Sequence, residues 1–175
     1  MKKKFAVCLT ALMACALFGA EHTKAASVNM TAEATIESAV LSGSQDQSLN
    51  FGTIVAAGSA ATVTIDASGG GGVLPAVTAG TASVSGGHNG RINVTTTLDA
   101  NINITYPGSI LITITGGGAQ TMTINNIAAN STASPMAITT AGPNKIFVGG
   151  ALQVGAGQVV GTYRNTLVPI TFIYE

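Results

Sequence analysis

Apolar side chains recur at every second position through most of this chain, the spacing that places them on one face of an extended strand. Val28, Met30, Ala32, Ala34 and Ile36 alternate with polar neighbours, and so do Ala61, Val63 and Ile65. The pattern returns at Ala82 and Val84, at Ile92, Val94 and Thr96, at Ile102, Ile104 and Tyr106, and at Ile110, Ile112 and Ile114. It continues at Met122 and Ile124, Met136 and Ile138, Ile146 and Val148, and Leu152 and Val154, and it ends with Val168, Ile170, Phe172 and Tyr174. The three-and-four spacing of an amphipathic helix is absent after the first 25 residues. Turn formers separate the alternating runs: Ser68 to Gly72, Gly86 to Gly90, Tyr106-Pro107-Gly108, Gly116 to Gly118, Ala133-Ser134-Pro135, Gly142-Pro143-Asn144 and Gly149-Gly150. Short strands with such frequent punctuation predict an all-β fold, an antiparallel immunoglobulin-like β-sandwich. Asn50-Phe51-Gly52 leads into a further strand, with Phe51 as an aromatic plug, and Glu37 to Gln47 reads as a Ser- and Gln-rich connection without a core pattern.

The start of the chain has a different character. Lys2, Lys3 and Lys4 precede an apolar stretch from Phe5 to Ala20, and Thr23 and Ala25 supply the small residues of a cleavage site. This is the layout of an export signal over residues 1–25, followed by a single domain over 26–175. A competing reading makes Leu12-Met13-Ala14-Cys15 a lipoprotein cleavage box; the plainer one makes Cys15 a small apolar residue of the signal. Because Cys8 and Cys15 both precede Ala25, a chain cut there has no thiol for a disulfide or a thiolate metal site. Export to the periplasm, cell surface or extracellular space is expected, with no transmembrane span, since no later segment is long and apolar enough to cross a bilayer as a helix.

Charge alters the picture once the signal is set aside. Residues 26–175 keep Arg91, Lys145 and Arg164 against Glu33, Glu37, Asp46, Asp66, Asp99 and Glu175, a net charge of −3. Three scattered cations make no footprint for nucleic acid, where several phosphates must be neutralised together. The solvent face has to be built from Thr, Ser, Asn, Gln and Gly.

Chemistry-bearing groups are sparse. His88, in Gly86-Gly87-His88-Asn89-Gly90-Arg91, is the one imidazole after the signal, and its Gly-rich setting reads as a solvated turn more readily than as a catalytic base. One His and no Cys cannot supply the usual tetrahedral zinc set. Asp46, Asp66 and Asp99 stand far apart in sequence beside turns, where Asp ordinarily caps backbone; a hydrolase would need two of them to converge. Asp99-Ala100-Asn101 is the nearest approach to a calcium loop. Gly69 to Gly72 lacks the Lys-Ser or Lys-Thr of a phosphate loop. The sequons at Asn29, Asn93, Asn103 and Asn130 are of the kind that Asn- and Thr-rich strands produce by chance. No catalytic residue, cofactor or metal is expected, so the chain reads as a non-enzyme.

The two chain ends remain. Val28 to Ile36 is expected as a tethered alternating first strand, and an alternating strand closes the C-terminus. Such a terminal segment either pairs within its own sheet or completes a neighbour, since strand addition needs an open edge and pockets for alternate side chains. The candidate pairing positions are Val28, Met30, Ala32, Ala34 and Ile36 on one side and Val168, Ile170, Phe172 and Tyr174 on the other.

Leu49-Asn50-Phe51-Gly52-Thr53-Ile54, Ile146-Phe147-Val148-Gly149-Gly150-Ala151-Leu152-Gln153-Val154 and Gly161-Thr162-Tyr163 leading to Val168 and Tyr174 resemble the bacterial exported domain-of-unknown-function family DUF4402. More loosely, the ending is similar to fimbrial subunits of the chaperone-usher kind, which implies a structural surface role with copies of itself, related subunits and a periplasmic chaperone as partners. The chain departs from many such subunits in having no Cys after the signal, and Pro169 removes one backbone donor from the last strand. The expectation is thus a non-enzymatic exported structural protein, a fimbria-like or cell-surface subunit assembled through terminal strands. The alternative is a self-contained secreted module that binds glycan or protein through the loops around His88 and Asn144.

Overall fold

The computed structural model describes residues 30–68, 70–130 and 135–175. The expected signal, Val28, Gly69 and most of the Ala133-Ser134-Pro135 turn fall outside them. By internal contacts the chain divides into Met1–Glu37 and Ser38–Glu175. In the first unit, residues 30–37 form no strand and are exposed. The second is built from eleven strands: β1 (Leu41–Gln47), β2 (Thr53–Ile65), β3 (Ala76–Ser85), β4 (Gly90–Thr96), β5 (Ala100–Thr105), β6 (Ser109–Ile114), β7 (Thr121–Ala129), β8 (Met136–Ile138), β9 (Asn144–Val154), β10 (Tyr163–Arg164) and β11 (Thr171–Tyr174).

All pairings are antiparallel, and no helix occurs among the described residues. Eight strands make one sheet, ordered β1-β4-β9-β7-β6-β10 with β2 joined to β9 and β3 to β2; three make a second, ordered β11-β5-β8. Both contribute to one core. Val63, Ile65, Val94, Ile124, Ile146 and Leu152 of the larger sheet pack in one buried cluster with Ile102 and Ile138 of the smaller. The predicted alternation is visible residue by residue: in β2, Ala61, Val63 and Ile65 are buried while Thr62 and Thr64 between them are partly exposed.

Two sequence expectations fail here. The strand expected at 28–36 is absent from its described part, and the first strand instead lies inside the Ser- and Gln-rich stretch, at Leu41–Gln47. Its backbone supplies the reason. β1 gains a full ladder against β4, from Leu41 opposite Thr96 to Gln47 opposite Arg91, and edge pairing of this kind needs little from the side chains.

The second failure is Gly149-Gly150, expected as a turn and found in the middle of β9. β9 is the hub of the larger sheet. One of its edges is shared end to end, with Asn144–Val148 against β4 and Gly150–Val154 against β2, while β7 runs along the other edge. At the changeover the chain leaving β2 passes directly over Gly149. A Cβ there would lie 2.2 Å from the Ile65 carbonyl oxygen and 2.7 Å from the Ala67 nitrogen, so only glycine permits the crossing.

Gly149→Ala should therefore lower unfolding free energy by about 3 kcal/mol, the upper range of overpacking, because backbone must move. Gly108→Ala, where a new Cβ meets nothing within 4 Å, should stay within about 0.5 kcal/mol. Urea unfolding of the two variants checks the contrast.

Candidate functional site

The C-terminal stretch crosses from one sheet to the other. Arg164 pairs with Thr113 on β6, and Thr171–Tyr174 pair with Thr105–Ile102 on β5. From Leu167 to Glu175 burial alternates strictly: Val168, Ile170, Phe172 and Tyr174 are half-buried and the residues between them exposed. The four candidate positions therefore share a face, and Ile170, Phe172 and Tyr174 pack against the core.

The ladder stops at Thr171 for a backbone reason. Continuing the register by two residues would set Pro169 opposite Pro107, and neither has an N–H to give. Glu175 donates its N–H to the Asn101 carbonyl (3.0 Å). Since bonded and non-bonded pairs alternate, Ile173 and Thr171 also point their N–H and C=O at β5, and Phe172 and Tyr174 point theirs away. Among the described residues no strand pairs on that outward side. Pro169 shares the inward parity, so it takes no donor from the open edge.

The aromatic side chains of β11 tie the last strand to β1 and to the residue just before it. The Phe172 ring lies on the bare backbone of Gly43 in β1, where a Cβ would come within 2.7 Å of the ring. The Tyr174 hydroxyl donates to the Val40 carbonyl (2.8 Å) and is 2.7 Å from Thr96 Oγ1. Val40 is held further by Thr97, whose Oγ1 accepts its N–H (2.9 Å) and whose N–H donates to its carbonyl (3.2 Å). The alternation of the last strand was legible in sequence; the parts played by Val40, Thr96 and Gly43 were not, as nothing local marks them. On the N-terminal side, Met30 and Ile36 are 90% and 97% exposed, and Ala32 and Ala34 are exposed beside them.

The polar candidates are each engaged locally. Asp46 pairs with Arg91 across β1 and β4. Asp66 Oδ1 accepts the Ser68 N–H (2.8 Å), and Asp99 Oδ1 accepts the Thr140 N–H. These backbone hydrogen bonds from Ser68 and Thr140 are the leading causes that hold the two carboxyls below their ordinary range. Asp46 lies beside Arg91 at one end of the β4 stretch Arg91–Thr96 and Asp99 beyond the other, a stretch of about 17 Å at about 3.3 Å per residue, so the two do not converge. Among the described residues no group of three or more His, Cys, Asp or Glu could hold a metal ion.

His88 is pinned, not loose. Its backbone exchanges two hydrogen bonds with Asn50 (2.7 and 2.9 Å), and its Nδ1 lies 3.3 Å from the Asn89 carbonyl. Asn89 is fully buried and accepts the Gly72 N–H at its Oδ1 (3.1 Å), so the Gly-rich turn is strapped to this corner. Asn144 spends its amide on Thr139 and on the Val94 carbonyl. With Gly90 opposite Val148 and Val94 opposite Asn144, His88 and Asn144 sit at opposite ends of the β4–β9 ladder and form no common loop cluster.

These features define an all-β antiparallel domain whose polar side chains brace turns and whose last strand leaves one edge open. Residues 41–174, from the first residue of β1 to the last of β11, match the family described as Domain of unknown function (DUF4402), and the chain belongs to that family. No curated protein and no solved structure matches it. The exposed segment at 30–37 precedes the matched region.

Because the Asp66 and Asp99 carboxyls titrate below the ordinary carboxylate range when folded, their stabilisation is complete above the unfolded value and is lost as pH falls through the lower folded ones. The Asp66→Asn, Asp99→Asn double variant should lose less stability than the parent in urea titrations as pH falls through and below the ordinary carboxylate range; equal losses would count against this assignment. Tyr174→Phe should cost about 1 kcal/mol in the same assay, through the lost bond to Val40.

Proposed function

We propose that this protein is an exported, non-enzymatic structural subunit, an immunoglobulin-like β-sandwich released from residues 1–25 as a signal, that assembles with copies of itself through its terminal segments. One observation carries the reading: an exposed alternating segment with no strand of its own, Met30–Ile36, coexists with an unpaired sheet edge on β11. Main-chain groups of Phe172 and Tyr174 supply the hydrogen bonds, and Met30, Ala32, Ala34 and Ile36 supply the apolar pegs beside Val168, Ile170 and Phe172. The charge-poor surface suits close side-by-side packing of subunits, since few like charges meet. Fimbria-like or cell-surface location and a periplasmic chaperone that covers the open edge belong to the same reading.

A loop-based binding module is less well supported, because Asn144 and Asn89 are consumed in bracing and His88 stands apart from Asn144.

The mature protein, residues 26–175, should sediment as a concentration-dependent oligomer. Deleting residues 26–37 should leave a monomer whose own unfolding is unchanged within about 0.5 kcal/mol. A parent that stays monomeric at millimolar concentration defeats the proposal.

A further inference from the structure

We infer that Arg164 is the docking residue for Glu37 of a second copy, and that it makes the incoming segment run antiparallel to β11. This rests on the assembly reading above and adds the polarity and a specificity residue.

Arg164 is exposed, and among the described residues no carboxylate pairs with it. It flanks a shallow groove of about 390 Å³ lined by Leu111, Thr113 and Leu167, at the start of the stretch that becomes β11. Leu111 and Leu167 are exposed apolar residues. The far end of the stretch carries the opposite charge, Glu175. The exposed N-terminal segment is itself acidic, with Glu33 in its middle and Glu37 at its end. Laid parallel to β11, the segment brings Ile36 to Tyr174 and Glu37 against Glu175, and like charges opposed across strands destabilise a pair. Laid antiparallel, it brings Ile36 and Glu37 to Val168 and Leu167, beside Arg164.

Reach then decides which copy supplies the segment. Val40 is fixed at Tyr174 by the hydroxyl bond. Four residue steps from Ile36 to Val40 span at most about 14 Å. An antiparallel segment of the same chain would need Ile36 beside Val168, six steps from Tyr174 or about 20 Å along an extended strand. The same chain can therefore offer its own edge only the parallel, charge-opposed arrangement, and the antiparallel one requires a second copy. The contact joins different surfaces of the two copies, so it repeats head to tail, into a ring or an open filament.

The test uses the mature chain in sedimentation equilibrium. Arg164→Glu and Glu37→Arg should each weaken association about fivefold, the scale of an exposed ion pair, and the double charge swap should restore it. Polarity is read by cross-linking in the same chain, residues 26–175, which contains no native cysteine. Glu37→Cys with Leu167→Cys should give intermolecular disulfides, and Glu37→Cys with Glu175→Cys should not. Single charge variants that associate like the parent, a double swap that fails to restore, or preferential cross-linking to position 175 would each overturn the inference. If deletion of 26–37 still abolishes assembly in that case, the assembly reading stands and only the role of Arg164 falls; a parent that never associates removes both.

Discussion

Everything in the larger sheet hangs on the backbone pairing of β9. Among the described residues it is the one strand bonded to three others, β4 and β2 end to end on one edge and β7 on the other, and its residues Ile146, Val148, Leu152 and Val154 are buried in the core. Two strands can share an edge only where one yields to the other, and the yield point is Gly149, under the chain that leaves β2. The Val-Gly-Gly-Ala-Leu sequence is thus a packing requirement. Val148 and Leu152 fill the core on either side of a place where no side chain fits.

The polar economy follows from the near absence of charge. With one ion pair among the described residues, between Arg91 and Asp46, orientation of the loops falls to amides and hydroxyls. Asn89 straps the Gly-rich turn, Asn144 closes the turn before β9 against β4, and Asn130 accepts the Phe147 N–H through its Oδ1 (2.8 Å). A buried or half-buried amide carries both donor and acceptor, so it can satisfy two strands at once, which a carboxylate cannot. The same bracing occupies the His88, Asp66 and Asp99 side chains with backbone, and Asp46 with the Arg91 side chain.

The sheet edges differ in how they end. β1, β10 and β8 are shielded by a bulge with a charged pair, by brevity and by brevity again, whereas β3, ten residues long and paired among the described residues only with β2, also keeps an open outer side. β11 is stopped toward β5 by the facing Pro107 and Pro169, yet its outer side keeps its donors and acceptors. That open outer side, together with an acidic N-terminal segment and the exposed cation at Arg164, is the physical basis of the proposed assembly.

The amino-acid sequence by itself determined the class of fold, since period-two apolarity broken by Gly, Pro and Asn leaves extended chain as the only way to bury Val63, Ile102, Ile146 and Leu152 together. It also determined which face of the last strand turns inward, because Val168, Ile170, Phe172 and Tyr174 carry that information locally. Tertiary structure alone decided which alternating segments become strands: Met30–Ile36 has the better apolar pattern, yet Leu41–Gln47 has the partner, and pairing with β4 depends on backbone groups distant in sequence. It likewise decided that Gly149-Gly150 lies within a strand and not at a turn, and that Val40 meets Tyr174. Glycine has one sequence signature for a turn and for a close crossing, and a hydrogen bond between residues 134 apart leaves no local trace at either.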